Sequence, residues 1–160
     1  MTIHQEFKAA DYQFDRLYLE NGYSDPHKAL KESEEYFKRE LSLPTQLPPV
    51  TFTHHFGRLS HSFGKASDVF ELVYLNKDVA QNHYSIRVKP VTYKIEFTQE
   101  KIDKKFTLAD GSEAVFSTSV DGFHLLVFEK NDWQYILSID KRLSDQISDE
   151  VLVEIANSIK

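Results

Sequence analysis

Residues 104–140, KKFTLADGSEAVFSTSVDGFHLLVFEKNDWQYILSID, decide the fold class. Four runs rich in apolar, aromatic and β-branched residues are separated by Asp-Gly or Asn-Asp pairs, which favour tight turns between antiparallel strands. The turn pairs stand at 110–111, 121–122 and 131–132. This pattern predicts a β-meander whose strands lie at about 104–108, 113–119, 123–129 and 133–139.

Three upstream segments have the same period-two alternation. They are VTFTHHFGRL (50–59), DVFELVYLN (68–76) and HYSIRVKPV (83–91). A fourth alternation runs through Tyr93, Ile95 and Phe97. In each segment one face is apolar and the other is mixed, which is typical of an antiparallel sheet that is wet on one side. We therefore expect a sheet of about six or seven strands.

A helix is predicted to follow this sheet, beginning after Ser148. The Ser148 hydroxyl can accept from the free amides of the first turn, and Asp149 and Glu150 meet the positive end of the helix dipole. Ile147 and Leu152 occupy the two positions of a hydrophobic staple. The apolar face continues through Leu152, Ile155, Ala156 and Ile159. Such a face is expected to pack on the meander.

Two helices are predicted before the sheet. One spans about 4–21, with an apolar stripe of Phe7, Ala10, Phe14 and Leu17, and ends at Gly22. The other begins at Pro26 with Asp25 as its cap. The segment LSLPTQLPPV (41–50) then stops the helix and favours an extended linker, because three prolines fall within six positions. The fold class is therefore α+β. Two parts are expected: an N-terminal helical segment, 1–41, and a compact unit, 42–160, which holds the sheet and the last helix. A stalk, a cover for the sheet and a separate partner site are the open interpretations of the helical segment.

Composition narrows the possible partners. A chain of 160 residues with 41% hydrophobic content can bury a core without a metal or a disulfide, and we predict no cofactor. The formal charge of −6 and the lack of a basic stripe argue against nucleic acid. Cysteine is absent, which removes thiolate chemistry. No signal peptide or membrane span is recognisable, so direct membrane insertion is not expected; cytoplasmic and extracytoplasmic locations both remain open.

Histidines supply the strongest hint of a metal. His54, His55 and His61 fall within eight residues, and imidazole is a common metal ligand. Neighbouring strand residues point to opposite faces, however, so His54 and His55 are poorly placed to share one ion. Exposed histidines are the other interpretation of this cluster. A hydrolase or metal-dependent enzyme built on it is an alternative function.

Aromatic residues suggest ligand or partner recognition. Twelve Phe, eight Tyr and one Trp could line an apolar pocket or simply fill the core. The candidate partner or ligand surface consists of Trp133, Tyr135, Tyr74 and Tyr84. No serine nucleophile motif, phosphate-binding glycine loop or calcium loop accompanies these aromatics, and no catalytic residue is predicted.

Parts of the sequence resemble a known family. The shared features are Leu43, Pro44, Leu47 and Pro48, the WQYIL strand, and a terminal helix similar to an lxxIAxSI ending. The helix positions are Leu152, Ile155, Ala156, Ser158 and Ile159. The chain resembles, over about 41–160, a small domain of unknown function from Gram-positive bacteria. That domain often forms the extracytoplasmic end of lipoproteins and of membrane-tethered, anti-sigma-like proteins.

This resemblance implies an extracytoplasmic location but no catalytic residues, and neither a lipobox cysteine nor a membrane span is present in the sequence. The leading hypothesis is a non-enzymatic binding or sensory domain that recognises a protein or an apolar small molecule. A third alternative is an inhibitor or immunity-type protein whose acidic surface meets a basic partner.

Overall fold

The structure, a computed structural model, describes the backbone of residues 9–160 and the side chains from residue 15 onward. It contains three α-helices and seven β-strands in that part of the chain. The helices are α1 (Ala9–Glu20), α2 (Pro26–Phe37) and α3 (Asp149–Asn157). The strands are β1 (His54–Ser60), β2 (Val69–Leu75), β3 (His83–Pro90), β4 (Lys104–Thr107), β5 (Glu113–Ser117), β6 (Phe123–Lys130) and β7 (Trp133–Asp140). None of the described helices is long and apolar enough to cross a membrane.

All seven strands form one antiparallel sheet in the order β1-β2-β3-β7-β6-β5-β4. The predicted α+β class and the predicted meander from β4 to β7 are confirmed. The sheet is two meanders joined where β3 pairs with β7. The chain must therefore cross from the middle of the sheet to its far edge between β3 and β4.

One face of the sheet, here called the helix face, packs against α2 and α3. Its central residues form the core, and they include Phe70, Leu72, Tyr84, Ile86, Leu126, Tyr135, Leu137 and Ile139. α2 approaches β1 very closely at Gly57, where an added Cβ would lie 2.8 Å from the Ala29 side chain. A glycine is therefore required there by the close approach of helix and strand, not by an unusual backbone angle.

The predicted caps of α2 and α3 are present. Asp25 accepts from the amides of His27 and Lys28, and Ser148 accepts from the amide of Val151. Leu152 and Ile155 are fully buried, as the apolar stripe of α3 predicts. The acidic first turn of α3 also reaches the far edge of the sheet, where Lys104 Nζ lies 2.7 Å from an Asp149 carboxylate oxygen.

The proline-rich segment is extended, as predicted, and is held on the helix face. Tyr135 donates its hydroxyl hydrogen to the Ser42 carbonyl at 2.7 Å, and Trp133 donates from Nε1 to the Glu40 carbonyl at 2.9 Å. Farther along, the Thr45 amide donates to the Ser158 hydroxyl. These hydrogen bonds tie the segment both to the sheet and to the end of α3.

The first predicted helix differs from the observed one. Residues 4–8, and the side chains of Phe7, Ala10 and Phe14, lie outside the described part. Leu17 was expected on the buried stripe but is 57% exposed. Instead, Tyr18 packs on the sheet, because its ring stacks on Phe56 with centroids 5.0 Å apart.

The alternation through Tyr93, Ile95 and Phe97 does not form a strand. Residues 94–98 have no regular structure and lie across the sheet as part of the crossover from β3 to β4. Gln134 fixes this segment, since its side-chain amide both donates to the Ile95 carbonyl and accepts from the Ile95 amide. A side chain of β7 thus takes the place of a neighbouring strand. Period-two alternation in the sequence cannot distinguish a segment held in this way from a true strand.

Candidate functional site

The face of the sheet opposite α2 and α3, here called the groove face, carries a groove of about 530 Å³. Within residues 9–160, α1 borders this face on the β1 side and the crossover segment 94–98 lies on it toward β6. The groove runs between these two borders. Its size falls within the range typical of small-molecule sites.

The floor of the groove consists of small and apolar side chains. Ser85 of β3 is directly opposite Ser138 of β7, so two short side chains meet at the centre of the sheet. Val73, Leu125 and Ile136 surround them. Because the serines are small where neighbouring residues are bulky, the middle of the face is recessed.

The walls come from three separate segments. Tyr18 and Tyr23 line one side, with ring centroids 5.5 Å apart, and Ile95 and Phe97 line the other. Phe97 also packs against the small apolar cluster on β6 and β7. Phe123 contributes to the lining from the start of β6.

A buried carboxylate lies at one side of the groove. Glu71, whose side chain is only 7% exposed, accepts from the Tyr23 hydroxyl and from Arg58 Nη2 at 2.8 Å through one oxygen. Its other oxygen accepts from Arg87 Nε at 3.0 Å. The Arg58 guanidinium also stacks over the Tyr23 ring, 4.2 Å from its centroid. The network fixes the loop between α1 and α2, which holds Tyr23, relative to β1, β2 and β3.

Burial by itself would raise the pKa of Glu71, but the Tyr23 hydroxyl and the two guanidinium groups together hold that pKa below its usual value. Burial and the hydrogen bond to Glu71 raise the pKa of Tyr23 well above normal. At neutral pH the carboxylate is therefore ionised and the phenol is protonated.

The stability of the protein is expected to depend on Glu71 in a pH-dependent way. Because the folded pKa is lowered, the ionised carboxylate stabilises the fold above the unfolded pKa, and this stabilisation is lost as the pH falls through the folded value. Glu71→Gln should therefore cost about 2 kcal/mol near neutral pH, with a smaller difference from the wild type at acidic pH. Urea unfolding at several pH values measures this difference.

Glu35→Gln is the matched control, since Glu35 is exposed on α2. It should change stability by less than about 0.5 kcal/mol at each pH. If the difference in unfolding free energy between the wild type and Glu71→Gln stayed constant down to acidic pH, the ionic role of Glu71 would be contradicted.

Comparison with protein families, curated proteins and solved structures finds no match to this chain. The function of the protein is therefore inferred from the chemistry of the groove. An apolar, recessed floor can bury hydrocarbon, and the cations beside it can meet a polar group.

The aromatic residues predicted as a recognition surface lie elsewhere. Trp133, Tyr135 and Tyr84 are at most 1% exposed and belong to the core of the helix face. Their prediction as a surface is corrected, because α2, the proline-rich segment and α3 cover that face. Tyr74 is half-buried, and its ring stacks on His55 at the same face.

The three histidines of the candidate cluster are not brought together. His54 lies on the groove face and pairs with Asp15 at 2.8 Å, whereas His55 lies on the helix face against Tyr74, with ring centroids 3.8 Å apart. Partial burial lowers the pKa of His55 to about 4. His61 stands beside the ring of Tyr36. Among the described residues, no group of three or more metal-ligating side chains is placed to hold an ion.

The groove residues were missed because sequence reasoning followed the apolar face of each strand. The signal was present on the alternate positions, where Glu71, Ser85, Arg87 and Ser138 interrupt otherwise apolar strands. Small and charged residues are unfavourable in a strand that is buried at the centre of a sheet. Their presence there indicates that this face has a role other than packing the core.

Proposed function

We propose that the protein is a non-enzymatic binding domain that holds an apolar small molecule in the groove. The observation that supports this proposal is the recess of about 530 Å³ between Tyr18 and the crossover segment. Burial of a hydrocarbon ligand against Val73, Leu125 and Ile136 would supply the main binding energy.

The shape of the site favours a small molecule over a protein partner. Tyr23 on one side and Phe97 on the other rise above a floor of short serines, so the surface is concave. Protein interfaces of standard size need a broad area of contact, which a recess bounded on two sides offers less readily than a flat face does.

A sensory role follows from the way the groove is assembled. One wall belongs to α1 and the loop that follows it, and the other belongs to the crossover. Both are joined to the sheet through side-chain contacts, such as those of Tyr18 with Phe56, Tyr23 with Glu71 and Ile95 with Gln134. A ligand that contacts both walls would stabilise one arrangement of α1 relative to the sheet. This role agrees with the extracytoplasmic, membrane-tethered domains that the sequence resembles, and we propose the same setting for this chain.

Binding of the neutral fluorophore N-phenyl-1-naphthylamine tests the proposal. The wild type is expected to bind it with a dissociation constant in the micromolar range. Ser138→Trp should weaken binding at least about tenfold, because the indole would fill the centre of the floor. Fluorescence titration measures both values.

Two further variants keep this test decisive. Ser62→Trp introduces the same side chain at an exposed position before β2 and should bind as the wild type does. Val120→Asp places a charge on the exposed rim of the groove and should weaken binding without disturbing the core, even if Ser138→Trp fails to fold. No binding by the wild type, or equal binding by Val120→Asp, overturns the proposal.

A further inference from the structure

Arg87 is a groove residue whose guanidinium group has unused hydrogen-bond donors. Its Nε donates to Glu71, but in the described part of the chain its two terminal nitrogens contact no acceptor. The side chain is 56% exposed. Arg58, by contrast, donates from one terminal nitrogen to Glu71 and from the other to the Asn21 carbonyl.

Arg87 also lines a second, smaller recess of about 220 Å³. This recess shares Arg87, Glu71, Ile95 and Ile136 with the main groove, so the two lie side by side. Lys89 also lines it, and its ammonium is held by the Ala66 carbonyl at 2.9 Å.

The local balance of charge is positive. Three cations, Arg58, Arg87 and Lys89, line the small recess, and the carboxylate of Glu71 is already shared by two of them. Asp68 lies near Lys89 and accepts from the Tyr36 hydroxyl. Burial lowers the pKa of Lys89, and the nearby Asp68 carboxylate partly opposes this shift.

We propose that the ligand of the groove is an amphiphilic acid. Its apolar body lies along Val73, Leu125 and Ile136, and its anionic group is bound in the small recess by the terminal nitrogens of Arg87. This inference rests on the proposed function and specifies the chemical class of the ligand. A carboxylate matches the planar donor fork of a guanidinium, which Glu71 holds in place from the other side.

The arrangement distinguishes an acid from a neutral amphiphile. Moving a carboxylate out of water is unfavourable unless a donor replaces the lost hydration, so a groove without a cation would favour the alcohol of equal chain length. With Arg87 in place, the acid should bind more tightly than the alcohol. Because Arg87 is partly exposed, the preference should weaken as salt is added.

Competition between matched amphiphiles tests the inference. Decanoate and decan-1-ol are titrated against protein loaded with N-phenyl-1-naphthylamine, using wild type, Arg87→Gln, Arg87→Lys and Lys31→Gln. In the wild type, decanoate should displace the fluorophore at about tenfold lower concentration than decan-1-ol at low salt. Arg87→Gln should remove that advantage, so that acid and alcohol compete at similar concentrations, whereas Arg87→Lys should keep part of it.

Lys31→Gln is the control for net charge, because Lys31 is exposed on α2, on the other side of the sheet. It should keep the wild-type preference. Equal competition by acid and alcohol in the wild type, or an acid preference that survives Arg87→Gln, overturns the inference while leaving the apolar site intact. If the wild type does not bind the fluorophore, both proposals fail together.

Discussion

Ile155→Asp is expected to leave the protein largely unfolded at room temperature. Ile155 is fully buried where α3 meets the helix face, in the same cluster as the central strands. The substitution removes a branched apolar side chain and places an unpaired carboxylate in the core. Loss of packing alone costs about 2–5 kcal/mol, and the buried charge adds to it. Since whole domains are stable by only about 5–15 kcal/mol, circular dichroism during urea unfolding should show little or no folded baseline.

Two control variants separate burial from charge. Ile155→Val keeps the apolar contact and should cost only about 0.5–1.5 kcal/mol. Asn157→Asp adds the same charge to the same helix at an exposed position, where the change should stay below about 1 kcal/mol. If Ile155→Asp unfolded at nearly the wild-type urea concentration, α3 would not be part of the core.

Trp133→Ala is expected to destabilise the protein by about 3–5 kcal/mol. The indole is 1% exposed at the start of β7, with Phe37 edge-on at 5.2 Å and the Arg39 guanidinium 3.7 Å from the ring centroid. It therefore joins the end of α2 to the centre of the sheet. Because the variant removes the only tryptophan, far-ultraviolet circular dichroism, and not fluorescence, is the measurement to use.

Trp133→Phe distinguishes packing from hydrogen bonding. It retains most of the ring but loses the donor to the Glu40 carbonyl, so it should cost about 1–2 kcal/mol. A Trp133→Ala variant as stable as Trp133→Phe would show that the indole fills little of the core.

Most of the fold could be predicted from local sequence patterns. The turn pairs between β4 and β7, the caps at Asp25 and Ser148 and the stripe of α3 act over a few residues, so the sequence displays them directly. The pairing of β3 with β7 was not predictable in this way. It depends on which strands meet after the chain has crossed the sheet, and no local pattern encodes that choice.

The groove was harder to predict than the fold for a similar reason. Ser85 and Ser138 define its centre only because the register places them opposite one another. Trp133 and Tyr135 were expected at a surface because aromatic residues serve both interfaces and cores, and only the covering segments decide between these roles. Glu71, Arg58 and Tyr23 come from three elements, and their convergence is a tertiary property.

The position of β7 also bears on the order in which the chain can fold during translation. β7 occupies the middle of the sheet, yet it is the last strand to leave the ribosome, and its partner β3 precedes it by about 50 residues. Until β7 emerges, the β1–β3 meander has an unpaired edge, which can associate with other chains. The sheet is therefore completed only after β7 has been synthesised, and the β1–β3 meander depends on rapid docking of β7, or on a chaperone, to avoid aggregation.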